Sequence, residues 1–138
     1  MFSSALKALP LAAAMFALLA SGCGDSDVPS TEATIGIHFS RFAPEAVRVA
    51  AGTPVTITLR NDDPIDHEWI VGSPQVHERH RTGTEPFHAE RPTEVTIPAL
   101  STLTTTVTFE SAAKYAYICH LPGHEAYGMV GTLQVVEP

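Results

Sequence analysis

One segment near the C-terminus restricts what this chain can become: Tyr115-Ala-Tyr-Ile-Cys-His-Leu-Pro-Gly-His-Glu-Ala-Tyr-Gly-Met-Val-Gly131. Within it Cys119, His124 and Met129 stand five residues apart, as Cys-x4-His-x4-Met. A thiolate, an imidazole and a thioether are soft-to-borderline donors that select copper over hard cations. The segment joins two stretches with strand character, so it would sit as a loop at one end of a β scaffold. A second imidazole must then come from elsewhere, and the best candidate is His67, in Asn61-Asp-Asp-Pro-Ile-Asp-His67. Two histidines and a cysteine in a plane, with a weak methionine on the axis, make a type 1 copper site suited to one-electron transfer.

The rest of the chain offers that scaffold. Ile35, Ile37 and Phe39 alternate with small or polar residues, the period of a half-buried strand. Phe42-Ala-Pro-Glu and Val47–Val49 read as a kinked or second short strand, and Ala51-Gly-Thr-Pro as a turn. Val55, Ile57 and Leu59 alternate strictly with Thr56, Thr58 and Arg60, and Glu68–Val71 follows His67 as another strand. Thr93–Ile97, the Leu103–Phe109 alternation, Lys114–Cys119 and Gly131–Val136 complete the set. About seven or eight short strands with turns between them predict an all-β Greek-key sandwich. Residues 73–92 break the pattern with three histidines and charges of both signs, which predicts an excursion with a short helix around Val76–His80.

Before the domain, Met1–Ala20 carries one cation, Lys7, and an apolar run from Ala8 that is too short to span a bilayer and is built like a signal-peptide core. It ends in Leu18-Leu-Ala-Ser-Gly-Cys23, which resembles a bacterial lipobox, with Ala20 where leucine is more usual. The expectation is a lipoprotein signal over residues 1–22, lipidation of Cys23, a flexible Ser/Asp/Pro tether over 23–33 and a single domain over 34–138. That implies an exported, membrane-anchored protein on the extracytoplasmic side. About 115 residues remain after removal of the signal, enough for one modest core. The whole chain carries a formal net charge of −7, and only one of its eight Lys and Arg residues lies in the signal. Such an acidic surface argues against nucleic acid as a partner. With two cysteines in all, one of them expected to be acylated, Cys119 is left as an unpaired thiol in an oxidising compartment, the mark of a reactive group or a metal ligand.

The C-terminal Tyr-x-Cys-x-x-Pro-Gly-His-x-x-x-Gly-Met-x-Gly pattern, with Phe42-Ala-Pro-Glu, the Ala51-Gly-Thr-Pro-Val55 turn and the Asn-Asp stretch before His67, resembles the cupredoxins, most closely the rusticyanin and auracyanin type. The resemblance covers Thr34 to Val136. It implies one copper ion held by His67, Cys119 and His124 in the plane and Met129 on the axis. It also implies a role as an electron shuttle, with redox proteins docking transiently near His124 and the protein acting as a monomer. No coordination position is left open for substrate, so enzymatic activity is not expected. Several cupredoxins carry Asn or Ser directly after the first histidine. Here Glu68 stands there, preceded by Asp66, and two inward-facing carboxylates would lower the potential.

Other readings compete. Cys119 and Met129 could be ordinary core residues. His120-x3-His124 beside Cys119 suggests zinc, although strand alternation turns His120 away from Cys119. His77, His80 and His88 read as part of a solvated loop of mixed charge, with a weak second metal site as the alternative. His38 falls on the polar face of the first strand and gets no role. From another functional class, a copper capture or delivery protein would use the same ligands without carrying electrons.

Overall fold

The computed structural model describes residues 28–83, 88 and 90–138. The signal segment, Cys23 and the start of the tether lie outside the described residues. Nine strands and one helix follow in order: β1 (Glu32–His38), β2 (Arg41–Ala43), β3 (Ala46–Ala50), β4 (Pro54–Asn61), β5 (His67–Gly72), α1 (Pro74–Arg81), β6 (Glu94–Ile97), β7 (Thr102–Thr108), β8 (Ala113–Ile118) and β9 (Val130–Val136). They form a four-stranded sheet, β2-β1-β4-β7, and a five-stranded sheet, β3-β9-β8-β5-β6. This is the expected sandwich, with the short Arg41–Ala43 segment counted as a strand of its own.

Alternation produces the core. In β4, Val55, Ile57, Leu59 and Asn61 point inward while the intervening residues are more exposed. Ile35 and Ile37 of the neighbouring parallel strand lie opposite Leu59 and Asn61. Trp69, Val71, Tyr117, Leu133 and Val135 close the core from the second sheet. Each fully buried aliphatic side chain contributes about 1.5–3 kcal/mol by leaving water.

Two readings based on alternation fail. Phe39 continues the Ile35–Ile37 period, yet its ring is 81 % exposed. Phe39 and Ser40 have φ of 51° and 53°, the left-handed conformation of a tight hairpin between β1 and β2. Left-handed backbone costs about 1–2 kcal/mol per non-glycine residue. Here both residues donate backbone N–H groups to the buried Asp63 carboxylate, at 2.7 and 2.8 Å. Leu103 also lies largely at the surface, 36 % exposed, because β7 is an edge strand.

The 73–92 excursion contains the expected helix, somewhat longer than its sequence signal. Pro74 occupies its first turn, where a missing N–H costs nothing. At its C-terminus the Thr82 N–H donates to Glu78 O at 3.0 Å, and Arg79 and Arg81 complement the helix dipole. The solvated-loop reading of this region does not hold for its histidines. His77 is 2 % exposed and the His80 side chain 3 %. The helix is pinned to the sheet by His77, whose Nε2–H donates to Ala116 O of β8 at 3.2 Å.

Candidate metal centre

β5 begins at His67 and β8 ends at Ile118, and the two strands pair antiparallel with Ile70 opposite Ile118. His67 and Cys119 therefore emerge at the same end of the second sheet. The chain after Cys119 turns at once: the His124 N–H donates to Leu121 O at 3.0 Å, and the Met129 N–H to His124 O at 3.0 Å. The Cys119 N–H then donates to Met129 O at 3.2 Å, which closes the loop. Gly128 has φ of 90°, a conformation that glycine adopts without steric cost. Gly131 makes room for a ring. It lies opposite Tyr117 in the β8–β9 ladder, and a Cβ there would come within 2.1 Å of the Tyr117 ring.

This folding brings three donor atoms together. His67 Nδ1 lies 3.2 Å from His124 Nδ1, and Cys119 Sγ lies 3.3 Å from the same His124 nitrogen. His67 and Cys119 are fully buried and His124 is half-buried. Met129, the fourth expected residue, is also fully buried, and its backbone is tied to both Cys119 and His124.

A rigid frame holds the first histidine. The His67 Nε2–H donates to Asp63 Oδ2 at 2.9 Å, which leaves Nδ1 as a lone-pair donor facing His124. Asp63 in turn accepts the Phe39 and Ser40 N–H groups, and its own N–H donates to Asn61 Oδ1 at 3.0 Å. The Asn61 amide reaches the Ile65, Ile97 and Pro98 carbonyls at 2.8, 3.3 and 3.0 Å. Burial pushes the Asp63 carboxyl up. The Ser40 and Phe39 amides and His67 together outweigh burial and hold it below its ordinary value. The His38 ring also stands near Asp63, with Nδ1 at 3.5 Å.

The donor types of the centre suit a soft-to-borderline cation. Burial pushes the Cys119 thiol above its ordinary value, against the pull of the Glu68 and Leu121 N–H groups. The Glu68 N–H donates to Sγ at 3.3 Å. Burial, and then His67, push His124 below its ordinary value, which favours the neutral ring. A buried thiol and two imidazoles facing one another are donors that a soft-to-borderline ion would complete, with release of the thiol proton. One copper ion fits this donor set.

The two carboxylates beside His67 do not face it. Glu68 turns toward His88, with Oε1 3.6 Å from Nε2, and Asp66 accepts the Ala99 N–H at 2.9 Å. The orienting carboxylate is Asp63, which sequence reasoning missed. It lies four residues before His67 in the Asn-Asp-Asp-Pro turn, where nothing in the sequence separates it from Asp62. His120 does turn away from Cys119, as alternation predicts, and meets the helix through a His77 Nδ1···His120 Nε2 contact of 2.9 Å.

Comparison with known proteins agrees with this geometry. The profile of the copper-binding proteins of the plastocyanin/azurin family matches residues 30–136. The chain is 26 % identical over 138 aligned positions to the copper-resistant cuproprotein CopI of Pseudomonas aeruginosa, covering 77 % of this chain and 75 % of that one. It is 28 % identical over 116 positions to the CopI of Rubrivivax gelatinosus, covering 79 % and 70 %. Its fold is similar to that of dithionite-reduced auracyanin from Roseiflexus castenholzii, at a TM-score of 0.67 and 20 % identity over 79 % of this chain and 99 % of that one.

Proposed function

This chain belongs to the plastocyanin/azurin family of copper-binding proteins, and from that premise we propose that it is a one-electron carrier at the extracytoplasmic face of a membrane. The observation that carries the reading is the closed frame: His67, Cys119 and Met129 are fully buried, and His124 alone of the four is partly open to solvent. Copper bound there would cycle between Cu(I) and Cu(II). His67, Cys119 and His124 would ligate it in the plane and Met129 on the axis. The Asn61–Asp63–His67 chain of hydrogen bonds holds one ligand still whatever the ion's charge, which keeps reorganisation small.

His124 is the proposed electron port. Around this end Phe39, Leu100 and Tyr127 are more than two-thirds exposed and Ile65 about half. Phe39 and Leu100 lie on turns that Asp63 fastens, the Leu100 N–H donating to Asp63 O at 3.0 Å. Such a small apolar rim suits brief, low-area docking of redox proteins by a monomer. Lipid attachment at Cys23 would keep the domain near its partners, with a tether shorter than the expected 23–33, since Ser30 already pairs with Val49 and β1 begins at Glu32. No enzymatic role is proposed.

A second reading has its own support, since both curated relatives carry the name copper-resistant cuproprotein. In that reading the centre captures or delivers copper. One experiment separates the two. The purified chain, loaded with Cu(II), is expected to show an intense thiolate-to-copper band. The band should bleach and return over repeated one-electron cycles with the metal retained, and it should be absent from Cys119→Ser. Surrender of Cu(I) to a competing chelator at each reduction would favour capture or delivery. A pale spectrum with only weak ligand-field bands would overturn the type 1 assignment.

A further inference from the structure

The second imidazole pair, His77 and His120, has no part in the centre just described. Its facing nitrogens, His77 Nδ1 and His120 Nε2, are 2.9 Å apart, closer than the 3.2 Å between His67 and His124. The outer nitrogen of each ring is turned to an oxygen. The Ala116 carbonyl lies 3.2 Å from His77 Nε2, and Glu125 Oε2 lies 3.6 Å from His120 Nδ1. Arg81 fixes that carboxylate in place, with Nη2 2.6 Å from Oε1. The Ala116 carbonyl can only accept, so His77 carries its proton on Nε2 and presents a lone pair at Nδ1. His120 meets that lone pair with an N–H when its proton sits on Nε2, and with a second lone pair, open to a shared electrophile, when the proton sits on Nδ1 beside Glu125. Histidines whose second N–H meets a carbonyl or a carboxylate are arranged as metal ligands commonly are.

A third buried ring points the same way. His80 stacks on His120 at a centroid distance of 5.3 Å and an interplanar angle of 21°. The His80 Nδ1–H donates to Val76 O at 2.9 Å, which leaves Nε2 as a lone pair. That Nε2 is buried without a hydrogen-bond partner, 3.7 Å from the Glu94 carboxylate. The side chains of His80 and His120 are only 3 % and 4 % exposed. A cleft of about 650 Å³ between the helix end and the ligand loop is lined by both rings and by Glu125, and gives solvent a route to them.

We propose that His77 and His120 form a second metal site, for a divalent first-row transition ion, with copper(II) the tightest binder. Imidazole suits such ions, and copper(II) heads their affinity order. With metal–nitrogen bonds of about 2.0 Å, the observed separation sets an angle of about 90° at the ion. That is a cis pair in the tetragonal geometry copper(II) prefers. Water from the cleft would fill the remaining positions. Because His120 follows Cys119 in the chain, the second ion would lie one residue along the backbone from the first centre.

The test titrates the full chain with Cu(II) while the visible band and the electron paramagnetic resonance spectrum are followed. Two equivalents should be retained through gel filtration. The first brings the thiolate band, and the second adds a nearly colourless axial signal with hyperfine structure from two nitrogens. His77→Gln and, separately, His120→Gln should keep the first and weaken the second by at least about tenfold. A single equivalent in the unchanged chain overturns the proposal. So does a second equivalent that survives both substitutions, since that ion is bound elsewhere. If one substitution also removes the first band, the other substitution and the stoichiometry of the unchanged chain still decide. Absence of the thiolate band throughout would defeat the first-centre reading alone, because the two-nitrogen signal reports the second site independently.

Discussion

The two imidazole pairs of this molecule have similar spacing and very different supports. At the first centre His67 is oriented by Asp63, and Asp63 by backbone amides and Asn61, so the frame is built into the turns that close the sandwich. At the second, His77 comes from the helix, His120 from the chain just past β8, and the carboxylate behind His120 is held by Arg81 at the helix end. The comparison teaches that rigidity here comes from coupling to the backbone of several strands. A site framed by one short helix and an ion pair depends instead on how firmly that helix docks.

Removing the carboxylate from each frame should give the largest contrast. Asp63→Ala strips an acceptor from two backbone N–H groups and from buried His67. It also leaves two non-glycine residues in left-handed conformations without compensation. Each abandoned buried group costs about 1–3 kcal/mol, so a total near 3 kcal/mol is expected after relaxation. Glu125→Ala removes a partner of Arg81 that is 31 % exposed, and such a pair contributes about 1 kcal/mol or less. Denaturant unfolding of the metal-free chain measures both. Equal losses would mean that the backbone frame is not what distinguishes the two sites.

A smaller effect is expected from Gly131→Ala, which tests the frame at the return of the ligand loop without touching a ligand. The added methyl meets a fully buried aromatic ring, Tyr117, whose hydroxyl donates to Pro44 O at 2.7 Å and so resists displacement. Overpacking of this kind costs about 1–3 kcal/mol. Denaturant unfolding again reads it, with the thiolate band as a check on the loop. An unchanged midpoint would show that Tyr117 moves aside freely, and the loop would then be less constrained than its hydrogen bonds imply.

The same contrast explains what the sequence disclosed. The approach of Cys119 to His124 was legible because they lie on one short loop, where spacing along the chain fixes spacing in space. The strands were legible wherever one face was buried, as in Val55–Leu59. Phe39 was misread because its exposure depends on Asp63, an acceptor 24 residues away. His77 and His80 were misread because local composition is polar, while their burial comes from His120, Ala116 and Glu94, all distant in sequence. Asp63 itself looked like one more turn residue, since nothing local marks which aspartate of Asn61-Asp-Asp-Pro turns inward.

The smallest effect should come from the residue that looked most disruptive in the sequence. Glu68 follows a proposed ligand directly, and an ionised carboxylate facing the ion would favour Cu(II) and depress the potential. Its carboxylate instead lies 3.6 Å from His88 Nε2, and the contact with Cys119 runs through its backbone N–H. Glu68→Gln keeps that N–H and removes only the outward charge, so the visible band should be unchanged. The reduction potential should shift by less than in Asp63→Asn, where the altered atom accepts directly from the ring of His67. Potentiometric titration of the two variants beside the unchanged chain gives the order. A larger shift in Glu68→Gln would mean that charge outside the frame governs the ion more strongly than the hydrogen bond that orients its ligand.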